Sequence, residues 1–375
     1  MKIGIMSMQR VVNYGSFLQA YALKRQIEDV LQGENRQVEF VDYEIEPSLI
    51  KNDEKKMDFN VKMYLLKILK MLSPKYRRYR NQQKLLNRTF SEFSKAYNET
   101  FLPTIGVKKA KVYCPELDVL VIGSDEVFNC TQKGTLVGYS RQLFGKDNRA
   151  KKLISYAASF GTTTLEKLEK YHIINDIAGD LSCFDALSVR DTNSQNVVAA
   201  LCGQIPCRHI DPVLLYDFGE VDTMVVDRKD YLIVYAYADR ITKEEAKEIR
   251  AFAKSKNLKV IALGFYQPFC DEYILAKPLE VLAYVKNAAY VVTDTFHGTV
   301  FSIKYQIPFA TIIRESNKQK LGDLLELFQL TERKVTCLSK LPEILEAKMD
   351  LTNIRDILAK ERESSLSYLY NHLLG

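Results

Sequence analysis

The chain has 375 residues, which leaves room for about two domains of roughly 100–200 residues each. Hydrophobic residues make up 47% and charged residues 27%, a balance that is typical of a globular protein and excludes a wholly disordered chain. The net charge of +6 is concentrated in residues 51–90, which hold twelve Lys or Arg against three acids, so the other residues together carry −3. A surface-wide nucleic-acid footprint is therefore not expected.

The start of the chain and its cysteines indicate a location inside the cell. The first residues become polar too early for a signal peptide, and no apolar run reaches the roughly 20 residues of a membrane span. The seven Cys are scattered and contain no Cys-x-x-Cys pair, so neither a zinc site nor a redox motif is indicated. We therefore expect a cytoplasmic protein whose membrane contact, if it has any, is peripheral and at the inner face.

Short apolar runs alternate with helical patterns through the first half of the chain, as in parallel-sheet α/β units. The first helix is expected to begin near Ser16 and to end at Gly33. The threonines at 162–164 provide N-caps for a later helix that runs through Ile177. The predicted strands are residues 3–6, 38–41, 117–122, 153–157 and 186–189.

A mostly polar stretch, residues 217–229, precedes a second alternating pattern and predicts a domain linker. Thr242 and Glu245 form a capping box that starts a helix of this second half. The predicted strands are 231–237, 260–263, 290–292 and 309–313, and a final helix is expected over 353–374. We therefore expect domains over 1–218 and 229–350, with the C-terminal helix of 351–375 packing back on the first domain. Ligands of such folds bind beyond the carboxyl ends of the strands.

Residues 51–110 form an insertion in the first domain, and the helical pattern there is apolar on one face and basic on the other. One interpretation is a solvated basic helix that packs on its own domain. The other is docking to anionic lipid head groups or to an anionic, lipid-linked substrate. The sequence leaves both interpretations open.

His297 differs from the other histidines because it lies at a strand-to-helix turn, where a side chain faces the ligand side of an α/β sheet. The amides of Gly298 and Thr299 open the new helix and are expected to bind phosphate. The alternative is a histidine that bonds only within its own turn. The other three histidines lie in helical or strand-end contexts: His172, His209 and His372.

Two further strand-end loops carry polar groups. Asn13, Tyr14 and Gly15 follow the first predicted strand, and Ser124 and Asp125 follow the third, where they can bond sugar hydroxyls. No Gly-x-Gly-x-x-Gly or Gly-x-x-x-x-Gly-Lys motif is present, which argues against dinucleotide or P-loop nucleotide binding.

Arg190 ends the fifth predicted strand, and a buried Arg there requires an anion. That anion is either Asp191, as a structural partner, or a ligand carboxylate or phosphate held bidentately. Arg314, Lys318 and Lys320 follow the last predicted strand and add positive charge. Together these side chains predict a cleft for a small ligand with several negative charges.

Six groups of residues, in this order along the chain, match the motifs of one family. They are residues 13–15 with 19–23, 121–129, 155–161, 188–191, 211–215 and 293–298. On these motifs the chain resembles the polysaccharide pyruvyl transferases. The resemblance implies an α/β protein with a GT-B-like fold, in which two Rossmann-type domains with parallel sheets face a central cleft. It also implies an enzyme that moves pyruvate from phosphoenolpyruvate to a sugar of an exopolysaccharide, capsule or lipid-linked precursor, forming a ketal.

The family's functional residues carry over one by one. The Arg of its Ser-Val-Arg motif is Arg190, the His of its Phe-His-Gly motif is His297, and a downstream Lys corresponds to Lys320, with Lys318 as the alternative. One departure is Phe128, where the family usually has Trp, so that a ring is kept and a hydrogen-bond donor is lost.

The implied reaction assigns the acid and base steps to His297, because an imidazole titrates near neutral pH. Asp294 would orient this histidine or deprotonate the sugar hydroxyl. No cofactor or metal is required, because protonation activates the donor. Two other functions remain open from the sequence: a GT-B glycosyltransferase with a nucleotide-sugar donor, and a non-catalytic protein that binds glycans or nucleic acid.

Overall fold

In the computed structural model, which describes residues 1–32, 36–50, 74–132 and 139–375, the first half of the chain forms a six-stranded sheet. Its strands are β1 (Lys2–Met6), β2 (Gln37–Val41), β3 (Glu116–Asp125), β4 (Arg149–Ala158), β5 (Ser188–Val189) and β6 (Cys207–Arg208). They lie in the order β2-β1-β3-β4-β5-β6, and every pairing is parallel. The five predicted strands are confirmed at slightly different bounds, and β6 is an additional two-residue edge strand.

Burial of both faces explains why these strands form. In β3, Val119 and Val121 pack into one hydrophobic cluster, while Leu120 and Ile122 pack into another on the opposite face. A strand covered on both faces appears in the sequence as a continuous apolar run, which is the pattern that predicted it.

The described helices of this domain pack against these clusters. They are α1 (Tyr14–Leu31), α2 (Pro74–Ala96), α3 (Leu102–Thr104), α4 (Leu165–Lys170), α5 (Ile174–Leu181) and α6 (Thr192–Cys202). The side chain of Asn13 caps α1 by accepting the amide of Ser16, so the helix begins slightly before its predicted start. The prediction of a single helix after residues 162–164 is wrong, because His172 takes a left-handed φ of +56° and separates α4 from α5. Gly33, the predicted end of α1, lies outside the described residues.

The second half of the chain forms another six-stranded parallel sheet. Its strands are β7 (Tyr231–Ala236), β8 (Lys259–Gly264), β9 (Glu272–Ile274), β10 (Tyr290–Thr293), β11 (Phe309–Ile312) and β12 (Lys334–Val335). They lie in the order β12-β11-β10-β7-β8-β9, which is the strand order of a Rossmann fold. The four predicted strands are confirmed, whereas β9 and β12 are too short to give a periodic signal.

Eight helices are described after β6. They are α7 (Pro212–Leu215), α8 (Gly219–Asp222), α9 (Lys243–Ser255), α10 (Pro278–Lys286), α11 (Phe296–Tyr305), α12 (Lys318–Leu327), α13 (Leu341–Glu346) and α14 (Leu351–Leu373). Helix α9 begins with the predicted capping box, since the Thr242 amide donates to the Glu245 carboxylate and the Glu245 amide to Thr242 Oγ1.

Two segments tie the second half of the chain to the first domain. The predicted linker, residues 217–229, contains α8, and its Phe218 is buried with its ring 5.8 Å from that of Tyr21 on α1. The C-terminal helix α14 also returns to the first domain, where Tyr368 Oη donates to the carbonyl of Ser155 at 2.8 Å.

Each sheet contains one topological switch point, between β1 and β3 in the first domain and between β7 and β10 in the second. Parallel α/β sheets bind ligands at the carboxyl ends of the strands that flank such a point. The helix that follows β1 and the helix that follows β10 meet there, because the His297 side chain packs directly on Gly15. The fold therefore brings two ligand-binding edges to one cleft between the domains.

Candidate active site

The cleft between the switch points has a volume of about 700 Å³, within the roughly 300–1,000 Å³ of typical ligand pockets. Both domains contribute polar groups to its wall. Those nearest to the strand ends are Asn13, Ser16, Asp125, Glu126, His297 and Lys320.

His297 occupies the second position of α11. Thr295 caps this helix, because its Oγ1 accepts the amide of Gly298 at 2.9 Å. The imidazole lies against the start of α1, where a Cβ on Gly15 would be only 2.2 Å from His297 Nδ1. This contact crosses the domain boundary, so position 15 requires a residue without a side chain.

The carboxylate that faces His297 belongs to Asp211, and not to Asp294 as expected. His297 Nε2 lies 3.6 Å from Asp211 Oδ2 and has no hydrogen-bond partner in the described part of the chain. Asp211 is fully buried and caps α7 by accepting the Val213 amide at 3.0 Å. Burial disfavours its charge, but His297 and Arg190 outweigh this effect and lower the pKa of Asp211. The ionised carboxylate can therefore balance a positive charge on His297.

Arg190 is a buried cation with unsatisfied donors. Its Nη1 donates to Asp211 Oδ2 at 2.7 Å, and its Nη2 lies 3.6 Å from Asp125 Oδ1. The guanidinium carbon lies 4.2 Å from the centre of the Phe296 ring. Although the side chain is only 4% exposed, no described residue forms a hydrogen bond with Nε or Nη2. Its protein partner is thus Asp211 rather than Asp191, and two donors remain for an anionic ligand.

Of the two candidate lysines, Lys320 lines the cleft and Lys318 lies on the surface. Lys320 Nζ is 2.5 Å from Glu126 Oε1. Burial disfavours the charge on Glu126, but Lys320 outweighs this effect and lowers the pKa of the carboxyl to about 2. The Lys318 side chain is 70% exposed, with Nζ 3.9 Å from Glu315. Only Lys320 of this pair is therefore placed to reach a ligand.

Asp294 and Arg314 belong to a network of ions beside the cleft. Asp294 Oδ1 accepts the amide of Tyr237 at 3.2 Å, and its Oδ2 lies 3.6 Å from Arg314 Nε. Arg314 makes two hydrogen bonds of 2.8 Å to the carboxylate of Glu245. Burial raises the pKa of Asp294. Neither side chain lines the wall of the cleft, so neither takes the position that the sequence suggested.

The amides of Gly298 and Thr299 are likewise engaged within the protein. Gly298 N donates to Thr295 Oγ1 at 2.9 Å, and Thr299 N donates to the Thr295 carbonyl at 3.4 Å. A Cβ on Gly298 would lie 2.1 Å from Thr293 Oγ1, so the glycine is required for packing. Phosphate binding by these two amides would therefore compete with the cap of α11.

In each of the two polar loops of the first domain, one side chain lines the cleft and another is buried in the core. Asn13 and Asp125 line the cleft. The Ser16 amide donates to Asn13 at 2.7 Å, and the Ser16 hydroxyl donates to Asp125 at 2.8 Å. Ser16 therefore links the two loops. Tyr14 and Ser124 are buried, and their hydroxyls donate to backbone carbonyls at 2.6 and 3.2 Å. These two side chains do not face a ligand.

His209 and Phe128 pack in the core of the first domain. His209 Nδ1 lies 2.7 Å from Ser188 Oγ, and burial lowers the pKa of His209 to about 4. Phe128 stacks on Phe144 with ring centres 4.9 Å apart. The ring that replaces the Trp of the resembled family is thus a packing element.

Sequence reasoning missed four side chains of the site: Glu126, Asp211, Tyr237 and Phe265. Glu126 and Asp211 lie within segments that carried the resemblance, so their motifs were a usable signal. Tyr237 and Phe265 follow β7 and β8 directly, and their position after a strand is the only signal the sequence holds.

The described part of the insertion packs on the first domain through α2, where the ring of Phe93 lies 4.6 Å from that of Tyr14. The basic and apolar residues of 51–73 lie outside the described residues, so both interpretations of that segment stay predictions. Within the described ranges, no helix has both the length and the apolar character that a bilayer crossing needs.

A family model described as polysaccharide pyruvyl transferase matches residues 13–316. A comparison with curated protein sequences gives no match. Among solved structures, the UDP-GlcNAc 2-epimerase from Neisseria meningitidis, bound to UDP-GlcNAc, is 8% identical with a TM-score of 0.50, and 100% of each chain is covered. The Streptomyces sp. SF2575 glycosyltransferase SsfS6, complexed with thymidine diphosphate, is 11% identical with a TM-score of 0.48, again over 100% of both chains. An O-GlcNAc transferase mutant from Thermobaculum terrenum is 11% identical with a TM-score of 0.43, and this chain spans 66% of its length.

At these identities the structural likeness concerns the fold alone. The two parallel-sheet α/β domains confirm the predicted GT-B-like architecture. The family match extends from the Asn13 loop past His297, and so takes in both sides of the cleft. Because that match covers most of its length, the chain belongs to the polysaccharide pyruvyl transferase family.

Proposed function

We propose that the protein transfers pyruvate from phosphoenolpyruvate to a sugar of a polysaccharide or of its lipid-linked precursor, forming a cyclic ketal. The observation that carries this proposal is the guanidinium of Arg190, which is 4% exposed and whose Nε and Nη2 have no hydrogen-bond partner among the described residues. Buried donors are costly unless a ligand satisfies them. Membership of the family supplies the reaction class. The two N–H groups of Arg190 that lack a hydrogen bond support a donor substrate with negative charge.

Phosphoenolpyruvate suits the cations around Arg190 because it carries both a carboxylate and a phosphate. A pocket of about 340 Å³ beside Arg190 is lined by the further cations Lys320, Arg208 and Lys360, and also by four carboxylates. The free edge of the guanidinium suits bidentate contact with one anionic group, and Lys320 provides a point charge for the other. Burial opposes the charge on Lys320, but Glu126 outweighs this effect and raises the pKa of the lysine.

His297 is the proposed acid and base. It gives a proton to the methylene carbon of phosphoenolpyruvate, which leaves positive character on the neighbouring carbon. A sugar hydroxyl adds to that carbon and returns its proton to His297. The carbon–oxygen bond to phosphate then breaks while the second hydroxyl adds, and its proton leaves with the phosphate. The products are the ketal and inorganic phosphate, and His297 ends in its starting state.

Asp211 is the proposed partner of that histidine. Its Oδ2 is shared between Arg190 at 2.7 Å and His297 at 3.6 Å, so one buried carboxylate joins the anion-binding and the proton-transfer groups. A fixed negative charge next to the imidazole orients the ring and offsets its positive charge while it holds the transferred proton.

The test is to incubate the pure protein with phosphoenolpyruvate and a panel of lipid-linked and synthetic glycosides. We expect inorganic phosphate to appear together with a product that is heavier than the acceptor by one pyruvate less one water. Release of a nucleotide from a nucleotide sugar, without use of phosphoenolpyruvate, would contradict the proposal.

A pair of matched variants tests the role of His297. His297→Asn should reduce ketal formation by at least about 100-fold, the lower range for general acid–base catalysis, and should still bind phosphoenolpyruvate in calorimetry. His172→Asn is the control, because His172 is exposed and Asn tolerates its left-handed backbone. Unchanged turnover in His297→Asn would exclude the acid–base role.

A further inference from the structure

Two of the aromatic side chains that line the cleft from the second domain follow strand ends and contact each other. Tyr237 and Phe265 follow β7 and β8 and both line the cleft wall. Their ring centres are 5.4 Å apart with an angle of 46° between the planes. Tyr237 is 39% exposed, although aromatic rings at strand ends are commonly buried. Tyr237 is exposed and Phe265 is half-buried, and an accessible aromatic pair inside a concave site indicates a surface that a ligand covers.

This aromatic pair is held in place by its neighbours. The ring of Phe90 on α2 stacks on Phe265 at 6.1 Å with an interplanar angle of 12°. The amide of Tyr237 donates to Asp294 at 3.2 Å, and the guanidinium carbon of Arg240 lies 4.9 Å from the centre of the Tyr237 ring. Because each ring contacts a neighbouring side chain, the pair offers a preformed surface rather than mobile side chains.

The first domain contributes hydrogen-bonding groups to the same cleft. Asn129 and Gln132 provide amides, Thr162 provides a hydroxyl or carbonyl, and Asp125 provides a carboxylate. An aromatic surface from one domain and polar groups from the other suit a pyranose, which has an apolar face of C–H groups and an edge of hydroxyls.

We infer that Tyr237 and Phe265 bind the ring of the acceptor sugar by stacking and determine which sugars present their hydroxyls to His297. This inference rests on the proposed function. It places the uncharged acceptor at the aromatic pair and the anionic donor around Arg190, in two cavities that share Phe296 and Lys320 in their walls. Tyr237 and Phe265 are thus substrate-binding residues for a glycoside, and they have no part in the proton transfers.

The proposed reaction favours a sugar over a nucleobase at this position. His297, the proposed proton donor, lines the same cleft as the aromatic pair, so a stacked ligand lies beside the reacting groups. The acceptor hydroxyls have to be there, because they form the new carbon–oxygen bonds.

The experiment is steady-state kinetics of Tyr237→Ala, Phe265→Ala and Tyr237→Phe with the best acceptor of the panel. We expect each alanine variant to raise the KM for the acceptor about tenfold, the scale of one aromatic contact, and to leave the KM for phosphoenolpyruvate unchanged. Tyr237→Phe should restore the acceptor KM, because it keeps the ring. Tyr370→Ala is the matched control, since Tyr370 is 44% exposed on α14 and should alter neither KM.

Two results would overturn the inference. One is an unchanged acceptor KM in both alanine variants, and the other is an equal rise in the KM for phosphoenolpyruvate. If the wild-type protein forms no ketal with any acceptor, the proposed function fails separately. Saturation-transfer NMR with the same glycosides then tests this inference. Glycoside binding that is lost in Tyr237→Ala supports the inference. The absence of glycoside binding contradicts it, and so does binding of UDP that depends on Tyr237.

Discussion

Replacing Gly15 by alanine is expected to disable the active site without unfolding the protein. The added Cβ would lie 2.2 Å from His297 Nδ1, 2.3 Å from its Cγ and 2.8 Å from its Cβ. Because the Cβ of His297 is among these atoms, rotation of the imidazole ring alone does not relieve the contact. Non-bonded carbon atoms need roughly 3.5 Å, so His297 has to move by about 1 Å or the two domains have to separate slightly.

A shift of that size has a calculable effect on rate. A misplacement of about 1 Å at a catalytic group costs on the order of 100-fold in rate, or about 3 kcal/mol of activation free energy. The same movement would alter the 3.6 Å spacing between His297 Nε2 and Asp211 Oδ2. We therefore expect kcat for ketal formation to fall about 100-fold, while the binding of phosphoenolpyruvate at Arg190 persists.

The assay is phosphate release from phosphoenolpyruvate with a working acceptor, with the ketal confirmed by mass spectrometry and the Tm measured on the same samples. Gly179→Ala is the control, because a Cβ there meets nothing within 4 Å. That variant should keep the wild-type kcat and gain about 0.5–1 kcal/mol of stability from a helical Gly-to-Ala change. A wild-type kcat in Gly15→Ala would refute the reasoning, and so would a loss of kcat that only accompanies a collapse of the Tm.

The lysines and His209 provide two further predictions. Lys320→Ala should raise the KM for phosphoenolpyruvate at least about tenfold, since a buried charge is removed, whereas Lys318→Ala, at a side chain 70% exposed, should leave that KM unchanged in the same kinetics. His209 should make stability depend on pH: its pKa is about 4 in the folded protein against an ordinary 6.5, so between these values the unfolded chain binds a proton that the folded one excludes. The contribution of His209 to the free energy of unfolding is therefore fully present above pH 6.5, and it decreases by about 3 kcal/mol as the pH falls to 4. Urea unfolding between pH 7 and 4 should show this decrease in the free energy of unfolding for the wild type and a smaller decrease for His209→Gln. An equal decrease in both proteins would exclude the proposed role of His209.

The candidate site was partly predictable because its residues follow strands. Arg190, His297 and Asp125 each come at or just after the carboxyl end of a buried strand, and a parallel sheet brings such positions to one edge. The same rule also selected Tyr14 and Ser124, which turn into the core instead. Position after a strand therefore identifies the edge of the sheet but not the direction of each side chain, because successive residues of a turn point to different sides.

The sequence by itself determined the α/β class, the two domains and the family, because strand and helix periods and short motifs are local properties of the chain. Only the tertiary structure decided that Asp211 of the first domain, rather than Asp294, faces His297 of the second, since that pairing depends on how two separately folded domains meet. It also decided between Lys318 and Lys320. At 3.6 residues per turn, residues two apart lie on nearly opposite sides of a helix, so only the packing of α12 against the cleft determines which lysine points inward.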